Sequence, residues 1–155
     1  MAGIFGWYAE HTVVTFEESA RPEREWAALH ARLAGLGLPF LVAETGGEIA
    51  GYAYASPWRT RPGYRHTAED SVFVAPGKTG QGIGRALLAA LLDRCARTGT
   101  RQLIAVIADT GEPGPAASRS AALHESFGFA AAGRLRAVGY KHGQWIDTLL
   151  LQRAV

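Results

Sequence analysis

The spacing of hydrophobic residues predicts two amphipathic helices at the start of the chain. The first extends to about His11, and the second runs from Pro22 to about Leu33 with Trp26 and Leu29 on the same face as Leu33. Proline suits the first turn of a helix because its nitrogen has no hydrogen to donate. Glycines follow the second segment directly, so the helix is expected to end there.

The hydrophobic pattern then becomes that of strands. A short apolar run at residues 40–43, a turn at residues 45–47 and an extended pattern at residues 49–55 predict a β-hairpin. An irregular polar stretch follows over residues 56–67. A third, buried strand is predicted at residues 71–74, because four strand-forming residues end there at a Pro-Gly pair.

The second half of the chain alternates between helix and strand. Apolar side chains recur every four residues at 82–97, which predicts a helix, and a continuous apolar run at 103–108 predicts a buried strand. A further helix is predicted near 118–126, and two strands near 130–140 and 144–151. A Gly- and Pro-rich loop precedes the last helix. The whole order predicts an α/β fold of the α+β kind, with helices on the faces of a mixed, mostly antiparallel, twisted sheet.

Length and composition narrow the classes of protein. The 155 residues suit a single domain spanning residues 1–155, and 48% hydrophobic with 19% charged residues is a globular composition. The net charge is +2 with scattered basic residues, which argues against a nucleic-acid partner. No apolar stretch approaches the roughly 20 residues that a membrane-spanning helix needs. The single cysteine, Cys95, cannot form an internal disulfide, which favours the cytoplasm.

A glycine-rich loop is the strongest chemical signal. Gly80, Gly82 and Gly84 alternate with other residues between a predicted strand and a predicted helix. Backbone N–H groups at such a helix N-terminus suit a pyrophosphate, and a β-carbon would keep the anion away from them.

Spacing separates the known phosphate-binding loops. A Walker loop would need glycine at Val72, and the dinucleotide fingerprint would need glycine at Arg85. What remains is Gly80-Gln81-Gly82-Ile83-Gly84, and a tight turn without a ligand stays an alternative.

Several further segments accompany this loop along nearly the whole chain, from about Tyr8 to Arg153. They are residues 52–58 (YAYASPW), 67–69 (TAE), 105–107 (AVI), 123–125 (LHE), 128–129 (GF) and 139–143 (GYKHG). Together they resemble the phosphinothricin and methionine sulfoximine N-acetyltransferases of the GNAT superfamily. The resemblance implies the GNAT fold, acetyl-CoA as co-substrate without a metal, a small amine substrate and a homodimer.

The resemblance also implies roles for individual residues. Glu69, just before the strand at 71–74, would be the general base, and His124 would protonate the leaving thiolate. The residues implied in binding are Val72, Phe73, Val74, Thr79, Gly80, Gln81, Gly82, Ile83, Gly84 and Ser120 for the cofactor, and Phe16, Arg59, Arg61 and Tyr64 for the substrate. Asp70 should point away from Glu69, leaving one of the two exposed.

Each of these roles has a structural alternative. Glu69 could pair with an arginine, His124 could pack in the core, and Phe16 could do the same. The arginines could be solvated.

Three features depart from the family pattern. Thr79 stands where relatives usually have Arg or Gln, and Ala117 stands where an Asn often contacts the cofactor. A strand that relatives have before the first helix is expected to be missing from this chain.

The sequence therefore predicts an acetyl-CoA-dependent N-acetyltransferase that acts on a small, acidic, amino-acid-like substrate by direct transfer in a ternary complex. Two alternatives stay open: a GNAT enzyme for another amine, such as an ordinary amino acid, a polyamine or a protein N-terminus, or a non-catalytic acyl-CoA-binding module.

Overall fold

The computed structural model of the protein describes the backbone of residues 1–111 and 115–155, and the side chains of these residues apart from 115–118. Four helices and six strands follow one another along the chain, with a short 3₁₀ turn at Pro62–Tyr64. Their bounds are α1 (Ala2–His11), α2 (Glu23–Gly35), β1 (Phe40–Thr45), β2 (Glu48–Pro57), β3 (Thr67–Val74), α3 (Ile83–Ala96), β4 (Gln102–Asp109), α4 (Pro115–Glu125), β5 (Ala130–Lys141) and β6 (Gln144–Ala154).

The six strands form one mixed sheet in the order β1-β2-β3-β4-β6-β5. Within the described chain β3 and β4 alone pair in parallel, and the other neighbours are antiparallel. The parallel pairing runs only from Thr67–Gln102 to Asp70–Ala105. Beyond Asp70, strand β3 continues beside β2 but separates from β4, which opens a gap in the middle of the sheet. The predicted mixed, mostly antiparallel sheet is confirmed.

Helices cover both faces of this sheet. The apolar stripe of α3 packs on one face, and its members Ile83, Leu87, Leu88, Leu91, Leu92 and Cys95 are all buried. On the other face α1 and α2 enclose an aromatic cluster that contains Phe5, Trp26, Tyr52 and Tyr54. The predicted helical faces are therefore confirmed, and Cys95 is a core residue as expected.

Strand β3 differs from its prediction in extent and burial. It begins at Thr67, four residues before the predicted start, so Glu69 lies inside the strand rather than before it. The polar residues there are held by pairing with β2 on one side and β4 on the other, which outweighs their weak strand pattern. Residues 71–74 are half-buried rather than buried, because β4 diverges from them.

The last helix also differs from its prediction. Helix α4 begins at Pro115 rather than near Ser118. The predicted loop at 110–115 lies partly outside the described residues, as does the side chain of Ala117. In the part of the chain that the structure describes, none of the helices has the length and apolar character to cross a membrane.

Candidate active site

The gap between β3 and β4 opens into a cleft of ≈ 830 Å³. Its walls come from α1, the segment after it, β3, β4, the glycine-rich loop and α4. The sequence-predicted residues that line it are Phe16, Glu69, Val72, Phe73, Val74, Thr79, Gly80, Gly82, Gly84, Ser120 and His124. The fold thus places the glycine-rich loop, the carboxylate of Glu69 and the imidazole of His124 around a single cavity.

The glycine-rich loop presents the N-terminus of α3 to this cleft. Gly80 and Gly82 have φ angles of +79° and +81°, which residues other than glycine rarely adopt. Gly82 is the N-cap of the helix. No side chain caps this helix start within the described residues, so its first amide groups, beside the cleft, have no side-chain partner. Their partial positive charge favours an anion.

The other loop residues have different surroundings. Gly84 has a normal φ angle, and a β-carbon there would lie 3.5 Å from Leu123 Cδ2 and from Val74 Cγ2, which is an ordinary contact distance, so the packing of α4 does not require a glycine. Ile83 is buried in the core, and the side chain of Gln81 is exposed near the carbonyl of Gly77 at 3.4 Å. Neither lines the cleft, so any contribution from them would come from the backbone.

Glu69 lies half-buried on the cleft wall, near the end of the β3–β4 pairing. Burial raises the pKa of its carboxyl above the ordinary value, and the charge of Asp70 adds to this, while Arg59 partly offsets it. A carboxylate with a raised pKa is a better proton acceptor near neutral pH.

His124 on α4 and Asp70 on β3 form a buried pair. His124 Nε2 lies 2.9 Å from Asp70 Oδ2, and its Nδ1 lies 2.7 Å from the carbonyl oxygen of Ser120. The expectation that Glu69 or Asp70 would be exposed is wrong, since Glu69 is half-buried and Asp70 is only 6% exposed. Helix α4 covers the Asp70 face of the sheet, and a pairing across 54 positions leaves no local trace in the sequence.

The cleft also contains residues that the sequence did not single out. Tyr8 on α1 donates a hydrogen bond from its hydroxyl to the carbonyl of Val74 at 2.8 Å, which ties the helix to the diverging end of β3. Arg85 and Arg119 lie on the cleft wall near the loop and α4. An aromatic residue in a predicted helix and two exposed arginines carry no distinctive spacing, so no signal marked them.

Phe16 lines the cleft from the segment between α1 and α2. Its ring lies against Gly139 of β5, where a β-carbon would overlap it. Next to it, the buried side chain of Lys141 donates a hydrogen bond to the carbonyl of Thr15 at 2.8 Å. The segment that holds Phe16 is thereby fixed to the β5–β6 hairpin.

The three predicted substrate residues between β2 and β3 do not line the cleft. Arg59, Arg61 and Tyr64 are exposed, and the Arg59 guanidinium lies 4.7 Å from the centre of the Trp58 ring. Of these three residues, only Arg59 is close enough for its positive charge to lower the pKa of Glu69.

Comparison with known proteins agrees with this geometry. The profile of the acetyltransferase (GNAT) domain matches residues 1–150. A phosphinothricin N-acetyltransferase from Alcaligenes faecalis is 46% identical over 94% of this chain and 73% of its own length. An L-methionine sulfoximine/L-methionine sulfone acetyltransferase from Salmonella typhimurium is 38% identical over 76% of this chain and 65% of its own.

A solved structure has the same architecture. A phosphinothricin acetyltransferase from Sinorhizobium meliloti, in complex with acetyl-CoA, superposes with a TM-score of 0.91. It is 41% identical and covers 99% of this chain and 80% of that one.

Proposed function

Since this chain belongs to the GNAT family of acetyltransferases and uses acetyl-CoA, we propose that it acetylates the amino group of a small amino acid bearing a second acidic or tetrahedral polar group. Phosphinothricin, methionine sulfoximine and methionine sulfone have this chemistry. The observation that carries the proposal is one cleft that contains both an anion-binding helix N-terminus and a half-buried glutamate.

The cofactor end of the cleft fits coenzyme A. Backbone amides from Thr79 to Gly84 would receive the diphosphate at the start of α3. The free edge of β3 at residues 72–74 would pair with the pantetheine arm, because β4 no longer occupies that edge. Ser120 on α4 lies beside the same channel. Thr79 supplies no charge to the diphosphate, whereas Arg85 on the first turn of α3 and Arg119 on α4 place positive charge on the cleft wall.

Glu69 and His124 perform the proton transfers in this proposal. Glu69 takes a proton from the substrate ammonium group, directly or through water, and frees the nitrogen lone pair. The nitrogen then forms a bond to the acetyl carbon while the carbon–sulfur bond breaks, and the sulfur keeps that electron pair. The acetylated nitrogen, which still carries two protons, loses one of them to water. His124 gives a proton to the departing thiolate. Backbone N–H groups of the splayed part of β3 would polarise the thioester oxygen.

The substrate end is assigned from the relatives and from the charges near the cleft. The Alcaligenes and Salmonella proteins are named for phosphinothricin and for methionine sulfoximine or sulfone. Phe16 provides an apolar wall there. Arg59, Arg61 and Tyr64 would have to approach from the β2–β3 segment once a substrate is bound.

We also infer a homodimer and a cytoplasmic location. Large apolar side chains are exposed on the β5–β6 hairpin at the sheet edge, and a two-fold dimer is the commonest way to cover such a face. The free, buried thiol of Cys95 fits a reducing compartment.

The function is tested by thiol release from acetyl-CoA with a panel of amines: phosphinothricin, methionine sulfone, methionine, spermidine and a short peptide. The proposal predicts the highest kcat/KM for phosphinothricin or methionine sulfone. A preference for spermidine or the peptide would contradict the substrate class, and no thiol release with any amine would contradict the enzymatic function.

A further inference from the structure

The surroundings of His124 favour its protonated form. Both ring nitrogens face acceptors: the Ser120 carbonyl lies 2.7 Å from Nδ1, and Asp70 Oδ2 lies 2.9 Å from Nε2. A neutral imidazole has a single N–H and can satisfy only one of them. The ring satisfies both when it carries two protons, as an imidazolium paired with a carboxylate.

The pair is shielded from water, so the contact between its two members decides whether each can carry a charge. The side chains of His124 and Asp70 are 5% and 2% exposed, and the edge of the Phe129 ring packs on the imidazole with 5.0 Å between ring centres. Burial of a charge without a partner is costly, so each member of the pair depends on the other.

Asp70 has one oxygen left over. Its Oδ1 is buried and has no hydrogen-bond partner among the described residues, although Asp70 lines the cleft. The titratable groups around it are His124 on α4, Cys95 on α3 and its strand neighbour Glu69, which in turn senses Arg59. Burial and the charge of Asp70 raise the pKa of Cys95 to about 12, so this thiol stays neutral. His124 is therefore the group that compensates the Asp70 charge.

We propose that Asp70 is a positioning residue for acetyl transfer, which holds His124 as an imidazolium beside the cleft and keeps Glu69 poised as the base. The Nε2–H of His124 leaves Asp70 when it protonates the departing thiolate. This inference rests on the proposed function. Asp70 acts through its two neighbours, since its charge favours the proton on His124 and disfavours ionisation of Glu69.

The electrostatics of both neighbours agree with this arrangement. Burial alone would lower the pKa of His124, but the hydrogen bond and charge of Asp70, with the Ser120 carbonyl, outweigh it and raise the pKa above its ordinary value. The pKa of Glu69 is raised by burial and by Asp70. Removing the Asp70 charge should therefore lower both pKa values.

The test is the Asp70→Asn variant, which keeps the shape of the side chain and removes its charge. We expect kcat to fall by about tenfold or more, and both the acidic limb and the basic limb of the pH–rate profile to move toward lower pH. Asp93→Asn is the matched control, because Asp93 is an exposed carboxylate on α3 paired with Arg97. Its profile should equal that of the unaltered protein.

A second measurement does not depend on turnover. Nitrogen-15 NMR should show that both His124 ring nitrogens keep their protons to higher pH in the unaltered protein than in Asp70→Asn. The same titration midpoint for His124 in the two proteins, or an Asp70→Asn pH–rate profile identical to that of the unaltered protein, would overturn the inference. If His124 is protonated but the protein acetylates no amine, the proposed function fails while the pair stands.

Discussion

At the scale of single residues, Gly139 decides where the wall of the cleft lies. The ring of Phe16 occupies the space that a side chain at position 139 would need. Because Phe16 lines the cleft, the absence of a side chain at Gly139 fixes the position of a cleft residue more than a hundred positions earlier in the chain.

Replacing Gly139 with Ala should displace Phe16. The added methyl group overlaps the ring, so we expect a loss of about 1–3 kcal/mol in the free energy of unfolding. The KM for the amine should rise by roughly tenfold, which is about 1.4 kcal/mol of lost binding, while the KM for acetyl-CoA stays within about twofold. Steady-state kinetics and denaturant unfolding measure these effects.

Gly133→Ala is the matched control for this prediction. Gly133 lies on the same strand and has no atom near its missing β-carbon, nor a positive φ angle. It should leave both constants unchanged. An equal rise in the amine KM for both variants would contradict the role assigned to Phe16.

The sequence predicted the catalytic candidates unevenly at this scale. Glu69 and His124 follow from the family resemblance, and the structure brings them to one cleft. Asp70 was missed, because strand alternation predicts the face of a side chain but not what covers that face. The partner of Asp70 comes from α4, 54 positions away.

At the scale of elements, the β5–β6 hairpin exposes several large apolar side chains. Leu135, Val138, Tyr140 and Trp145 are 46–65% exposed, and the rings of Tyr140 and Trp145 lie 5.1 Å apart across the two strands. The sequence predicted both strands and their connection at 141–143. It did not predict that β5 forms the sheet edge, because that depends on β6 inserting next to β4.

Replacing Trp145 with Lys should weaken the proposed dimer. Tryptophan residues at the centre of interfaces commonly contribute about 2 kcal/mol or more, so we expect the dissociation constant to increase by at least roughly thirtyfold. Analytical ultracentrifugation over a range of concentrations would show the shift toward monomer.

Leu36→Lys is the control for the effect of a lysine at an exposed apolar position outside the hairpin. Leu36 is 55% exposed but lies beyond the end of α2, away from the hairpin. It should leave the association unchanged. A monomeric unaltered protein at every concentration would contradict the proposed dimer.

At the scale of the whole molecule, the cleft exists because β3 pairs with β4 over only four residues and then separates from it. The glycine spacing predicted a loop at the start of α3, and that is where the loop lies. The divergence of β3 from β4 does not follow from the residue pattern of either strand. Strand register depends on long-range pairing, so the pattern of residues 67–74 alone led to a strand that was too short and too buried.

The most direct test of the account is the turnover of the Glu69→Gln variant with the preferred amine, measured by thiol release beside its affinity for acetyl-CoA. Removal of a general base should lower kcat by roughly 100- to 10,000-fold. The dissociation constant for acetyl-CoA should stay within about twofold, since the amides at the start of α3 are untouched. Glu48→Gln, at an exposed carboxylate paired with Lys78, should behave like the unaltered protein. Undiminished turnover in Glu69→Gln would contradict the role of Glu69 as the general base.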